Sequence, residues 1–255
     1  SHAGNTEETL SSFALAGERG CTRLAVCTGG QLAAQAQSAG APCWIFEHHG
    51  QPRTAVAYSF ALLLAAFYRL NLIPNPQAEL ESVAALLRQQ EIAFQPETPV
   101  CQNPAKRLAG QLVDRWVVVL ASDYLAPVAR RWKGQISELA KAWAQFEFLP
   151  EADHNSLAGI LNPETALEKT FVLFLRAPSD HPRNRLRSNF TRQTMLIQAL
   201  GTDTVDALGD TPLAHIWTAL QYGDYVSYYL AMAYGVDPTP VEALQALKNN
   251  LNAVK

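Results

Sequence analysis

The sequence predicts an α/β protein of two parallel-sheet units followed by a helical C-terminal segment, and three observations lead there. Short strand-like runs alternate with longer helix-period segments. The alternation stops at a polar stretch carrying Pro96, Pro99 and Pro104 and then restarts. The clearest strand-like runs are apolar at consecutive positions, as strands covered on both faces are. With 255 residues, 48% of them hydrophobic and 17% charged, the chain is long and apolar enough to bury one large core or two modest ones.

In order, a helical stretch runs from about Glu7 to Ala16. Thr22–Thr28 (TRLAVCT) reads as a strand, Gly29-Gly30 as the turn after it, and a short helix continues to Ser38. Pro42–Glu47 (PCWIFE) is the next strand. After Gly50-Gln51-Pro52, an apolar helix spans about Thr54 to Asn71 and is stopped by Pro74 and Pro76. Its stretch Ala55–Tyr68 has 14 residues interrupted only by Ser59. A bilayer-crossing helix needs about 20, so a buried core helix is expected. An amphipathic helix over Gln77–Gln90 leads into the proline stretch, which sets the expected domains at residues 1–95, linking helix included, and 96–255.

The second unit is predicted as strand Trp116–Ala121 (WVVVLA), helix Ala126–Ala144, strand Phe146–Leu149, strand Phe171–Arg176 (FVLFLR), helix Arg183–Leu200 and a short strand near Thr204–Ala207. Beyond it the chain reads as helical, broken between Gly235 and Pro240. The first unit opens on Ser1 with no strand and no initiator Met, so residues are expected upstream of Ser1 in the parent protein.

Charge narrows the partners. Twenty Lys+Arg against 23 Asp+Glu leave a net charge of −3, which provides no broad positive field for nucleic acid or an anionic membrane. A small molecule is the expected ligand. Cys21, Cys27, Cys43 and Cys101 form no CxxC pair, which suits reduced thiols and a cytoplasmic location. His48-His49 lacks metal-ligand spacing, and no metal or cofactor is expected.

Several segments carry groups suited to chemistry. Ser1 to Thr9 packs hydroxyls, Gly4 and the Asn5 amide ahead of a helix, where free amides suit a phosphate. The plainer reading is an N-cap at Asn5 with Glu8 three residues on, and the two can coexist. Glu138, on a helix bearing Arg130, Arg131, Lys133 and Lys141, has the form of a general base or of a surface Glu paired with Lys141. His154, in Pro150–Asn155 (PEADHN) after a strand, can exchange a proton near neutrality, or Asp153 or Asn155 simply caps the next helix with His154 exposed. Arg53 puts a fixed cation at the sheet edge or in solvent. Lys248 near the end of the last helix complements the helix dipole or serves a site. Asp180-His181-Pro182-Arg183 reads as a turn, and no chemistry is placed there.

Together these segments resemble a known family. SxxGNTEET at Ser1–Thr9 is similar to the sugar-phosphate loop of sugar isomerase (SIS) domains. Gln51-Pro52-Arg53 before a Tyr58-containing apolar helix, RWKGQISELAK at 131–141, PEADHN at 150–155 and GVDPTPVEALQALK at 235–248 follow in the order of bifunctional phosphoglucose/phosphomannose isomerases. The resemblance spans essentially the whole chain. It implies two SIS-type domains with a phosphosugar site between them, the first lacking its opening strand.

It also implies roles: Glu138 as the carboxylate moving a proton between C1 and C2, His154 as the ring-opening histidine supplied across a homodimer interface, Lys248 near the ring oxygen, and Arg53 beside the enediolate. Ser1, Gly4, Asn5 and Thr6 match phosphate-loop positions, and Ala3 replaces a customary serine. The implied enzyme interconverts fructose 6-phosphate with glucose 6-phosphate and mannose 6-phosphate in the cytoplasm without a metal. Two alternatives stay open: a non-catalytic sugar-phosphate-binding module, and an isomerase of another phosphosugar.

Overall fold

Two apolar triplets, Ala25–Cys27 (β1) and Cys43–Ile45 (β2), pair in parallel with Ala25 opposite Cys43. They are shorter than the runs expected, although the Pro42 carbonyl still accepts from the Ala25 amide at 2.9 Å and the Phe46 amide donates to the Cys27 carbonyl at 3.2 Å. The helices around them are Glu7–Glu18 (α1), whose acidic first turn complements its dipole, and Gly30–Ser38 (α2). Phe13 of α1 and Leu32 and Ala36 of α2 close over Ala25 and Cys27. The Arg23 guanidinium lies 4.5 Å from the Phe13 ring centre and donates to the Phe13 carbonyl at 3.1 Å.

The computed structural model describes residues 1–253. Its contacts divide the chain after Gln77 into two compact units, each taken by itself. The apolar helix is Val56–Arg69 (α3), preceded by a 3-10 turn at Pro52–Thr54. The expectation of a buried core helix is corrected here: none of its residues is buried, and Leu63 and Phe67 are 53% and 47% exposed. Apolar composition sets what a helix avoids, not what lies against it.

Helix Gln77–Phe94 (α4) packs with the second unit rather than the first, so the contacts divide the chain earlier than residue 95. Gln90 Nε2 donates to the Thr218 carbonyl at 3.0 Å, Gln221 Nε2 to the Leu87 carbonyl at 3.2 Å, and Tyr229 Oη to the Phe94 carbonyl. The stretch read as a polar boundary holds a further helix, Pro104–Leu112 (α5). Pro104 sits in its first turn, where no amide is needed, and the buried Asn103 side chain accepts from the Lys106 amide at 3.0 Å.

The second sheet has four parallel strands in the order β4-β3-β5-β6: Trp116–Ala121 (β3), Ala144–Phe148 (β4), Thr170–Arg176 (β5) and Gly201–Asp206 (β6). β4 and β6 begin earlier than sequence suggests, because their first residues still pair: Ala144 with Val117, and Gly201 with Phe171. The connecting helices are Ala126–Ala140 (α6), the single turn Glu164–Leu167 (α7) and Pro182–Ile197 (α8). Helices Pro212–Tyr234 (α9) and Glu242–Ala253 (α10) come last. α6 stops at Lys141, which takes φ +56°, and α9 at Gly235, φ +67°. Among the described residues no helix is long and apolar enough to cross a membrane.

Candidate active site

In the first unit, the loop ahead of α1 is organised by the main chain. The His2 carbonyl accepts from the Thr28 amide at 2.7 Å and its hydroxyl at 3.0 Å, and the Gly4 carbonyl accepts from the Leu32 amide at 2.9 Å. The two chain segments approach where only glycine allows it. A Cβ on Gly4, at φ +71°, would lie 1.9 Å from the Gly29 carbonyl oxygen, and one on Gly30 would lie 2.3 Å from the Ala3 carbonyl oxygen.

The N-cap expected at Asn5 is corrected. Thr6 occupies the cap position, without a side-chain cap bond, and Asn5 Oδ1 crosses to the start of α2 to accept from the Gln31 amide at 3.0 Å. An orphan first-turn amide is satisfied either way, but on the neighbouring helix. The Ser1 and Thr6 hydroxyls lie 3.0 Å apart at the mouth of α1, where a helix leaves its leading amides without an i−4 acceptor and the Thr9 amide turns back to the Thr6 carbonyl at 3.0 Å. Hydroxyls and helix amides together suit a dianionic phosphate. Arg53 lies half-buried in the 3-10 turn ahead of α3 rather than within the helix.

In the second unit, the motif on α6 is held by buried side chains. Arg131, Gln135 and Glu138 stand at i, i+4 and i+7, one face of the helix. Arg131 makes a two-point contact with Asp224 of α9, Nε to Oδ1 at 3.2 Å and Nη2 to Oδ2 at 2.8 Å. Gln135 Nε2 adds a third donor to Oδ1 at 2.9 Å. Burial pushes the Asp224 carboxyl up, against the pull of Arg131 and Gln135. Trp132 is 1% exposed, donates its indole N–H to the Ala219 carbonyl at 2.9 Å, and lies over Gly223, where a Cβ would come within 2.2 Å of its ring.

Glu138 is half-buried on that face. Lys141 Nζ donates to the Glu138 main-chain carbonyl and, at 3.4 Å, to the Pro238 carbonyl. The helix end bearing Glu138 is thereby joined to the segment leading into α10, on which Lys248 is exposed.

His154 stands elsewhere. α6 leaves the carboxyl end of β3 and runs back along the sheet, so Glu138 lies near the strands' amino edge. β4 then returns to the carboxyl edge, where it leads into the turn Glu151–His154. Five residues of strand, roughly 16 Å, separate the two edges within one chain. His154 is exposed. Its neighbours hold the turn: Thr191 Oγ1 donates to Asp153 at 2.6 Å, and Asn155 Oδ1 accepts from the Ser156 amide at 2.6 Å.

At the same edge, Asp180-His181-Pro182-Arg183, expected as a turn, is one only in part: the Asp180 amide closes the turn from the Ala177 carbonyl at 3.1 Å, while Pro182 and Arg183 already belong to α8. Asp180 Oδ2 accepts from the Ala177 amide at 2.8 Å, and His181 caps α8 through the Arg183 amide at 3.2 Å. Asp123 accepts from the His181 amide at 2.9 Å and from Asn184. Burial alone would raise the Asp123 carboxyl, but these donors hold it below its ordinary value.

Sequence reasoning singled out Glu138 without Gln135 and Asp224, which position its helix. The i, i+4, i+7 spacing was a usable signal for Gln135. Nothing in one sequence pairs Arg131 with Asp224, 93 residues away.

The family described as bacterial phospho-glucose isomerase C-terminal SIS domain matches residues 101–251. The chain is 35% identical to a bifunctional phosphoglucose/phosphomannose isomerase of Caldicellulosiruptor bescii, over 100% of this chain and 76% of that protein. It is 32% identical to the protein of the same description from Aquifex aeolicus, over 98% and 74%. In fold it is similar to a glucose-6-phosphate isomerase-like protein from Thermus thermophilus, with a TM-score of 0.63 at 21% identity, covering 85% of this chain and 76% of that one.

Proposed function

The chain belongs to the family of bifunctional phosphoglucose/phosphomannose isomerases, and on that premise we propose that it interconverts fructose 6-phosphate with glucose 6-phosphate and mannose 6-phosphate through an enediolate. The observation that carries the reading is the face of α6. A proton-transfer base must be held in one place, and Glu138 shares its helix face with Arg131 and Gln135, both bound to Asp224.

The roles are those the family resemblance implies, and the chemistry is consistent with them. Ser1, Gly4, Asn5 and Thr6 receive the phosphate, whose binding energy positions the opened chain. His154 shuttles the proton that opens the ring. Glu138 takes the proton from C2 of the aldose, or from C1 of the ketose. The electron pair left behind spreads over C1, C2 and their oxygens, where the Arg53 guanidinium meets the negative charge. Return of the proton to C1 makes fructose 6-phosphate. Return to C2 makes glucose or mannose 6-phosphate, according to the face. Lys248 acts near the ring oxygen.

Glu138 and His154 lie at opposite edges of one sheet, which supports a homodimer in which His154 serves the partner's site. Nothing in the reading calls on nucleic acid or a membrane, and the reaction suits the cytoplasm.

The test is proton NMR of fructose 6-phosphate in D₂O with the full-length protein and its Glu138→Gln variant. Glucose and mannose 6-phosphates carrying deuterium at C2 are expected. Turnover should fall on the order of a thousandfold in the variant, with inhibition by inorganic phosphate retained. Unchanged turnover in Glu138→Gln, or binding without exchange in the parent protein, overturns the proposal.

A further inference from the structure

The phosphate loop and the turn bearing Arg53 are joined by a chain of side-chain hydrogen bonds. His2 Nε2 lies 2.9 Å from His48 Nδ1, His48 Nε2 lies 3.1 Å from Thr54 Oγ1, and Thr54 Oγ1 lies 2.8 Å from the Gln51 carbonyl oxygen. Atom inventory fixes the direction of the chain. A carbonyl only accepts, so the single Thr54 hydroxyl hydrogen points at Gln51. Thr54 Oγ1 then accepts from His48, which must carry its proton on Nε2. With His48 neutral, its Nδ1 is bare and accepts from His2 Nε2–H.

His2 is thereby left with a bare Nδ1, and that atom is buried with no hydrogen-bond partner. A bare acceptor there costs less than a stranded N–H. Burial pushes the His2 imidazole below its ordinary value, which favours the neutral ring the chain requires.

The surroundings are shaped to it. The Phe46 and Tyr58 rings stack at 5.1 Å, with His2 edge-on to Phe46 at 5.9 Å and His48 edge-on to Tyr58 at 5.7 Å. A Cβ on Gly50 would stand 2.8 Å from His48 Cε1 and 2.9 Å from Thr54 Oγ1, so a side chain there would crowd the contact. His49, next in sequence, points away to the exposed Glu47 at 2.9 Å.

We propose that His48 is a positioning residue that ties the phosphate loop to the Arg53 turn through this one-way chain from His2 to Gln51. The proposal rests on the reading that the loop holds the phosphate and that Arg53 meets the enediolate. The tie sets the distance between the group that anchors the substrate and the cation that serves its reacting end.

Two measurements on the full-length protein test it. Ring-nitrogen NMR should show both His2 and His48 protonated at Nε2 with Nδ1 bare; a His48 protonated at Nδ1 overturns the chain. In kinetics with fructose 6-phosphate, Thr54→Val keeps the shape, loses the hydroxyl, and should lower kcat about tenfold, while Thr54→Ser stays within about twofold of the parent. Inhibition by inorganic phosphate should change less than about twofold in both, because each half of the chain survives alone. Equal loss in Ser and Val, or none in Val, overturns the positioning role. An unchanged kcat in Arg53→Ala overturns the site reading beneath it, a failure told apart by the ring nitrogens, which report the chain whatever the reaction.

Discussion

The two units hold their candidate residues by different means. In the first, a loop is fixed by carbonyls and amides, with Gly4 and Gly30 at positive φ letting two stretches of main chain meet. In the second, a helix is fixed by the Trp132 ring and the Arg131–Asp224–Gln135 contact. The difference teaches where each is vulnerable. A loop made of main chain is insensitive to most side-chain truncations and intolerant of an added Cβ. A helix held by packing behaves the opposite way.

The largest effect that would sharpen this contrast is Trp132→Ala, which empties a site 1% exposed and removes the indole's hydrogen bond to the Ala219 carbonyl. A loss of about 4 kcal/mol is expected in urea unfolding. Gly4→Ala comes next. The added carbon meets a main-chain carbonyl that cannot turn aside, at a φ that disfavours Ala, so about 3 kcal/mol is expected, with a KM at least about tenfold higher. If Gly4→Ala left KM unchanged, the loop would not be the rigid anchor described. Asp224→Asn leaves the Arg131 guanidinium, 17% exposed, without its counter-charge and should cost about 2 kcal/mol, read as a lowered Tm.

The smallest effect has the opposite sign. Burial pushes the Asp180 carboxyl above its ordinary 3.8. The folded chain therefore keeps a proton that the unfolded chain gives up. This group favours folding most at acid pH, and its contribution declines as pH climbs from 3.8 through the raised value. Asp180→Asn keeps an acceptor for the Ala177 amide and should flatten that dependence, raising stability at pH 7. Denaturant midpoints at several pH values would show it.

How much of this was legible depends on whether the cause lies near in sequence. WVVVLA and FVLFLR announce buried strands because the residues on both of their faces are apolar. Helix α5 was readable in principle from Asn103-Pro104, a cap followed by a first-turn proline, but the nearby prolines made the stretch resemble a linker. The exposure of α3 was not readable, since its composition is that of a core helix. Asn5 was assigned to its own helix because spacing favours the local cap, whereas the fold brought α2 nearer. The pairs His2 with His48 and Arg131 with Asp224 join distant segments, and one sequence carries no signal for them.

The return of β4 across the sheet also bears on genetics. If each catalytic centre takes Glu138 from one copy and His154 from the other, two dead alleles can rescue each other. Glu138→Gln protein mixed with His154→Ala protein would regenerate one intact centre in every heterodimer, up to about a quarter of wild-type centres after random reassortment. A cell carrying both alleles would then grow where either alone would not, and the inheritance of the defect would depend on which edge of the sheet each mutation strikes.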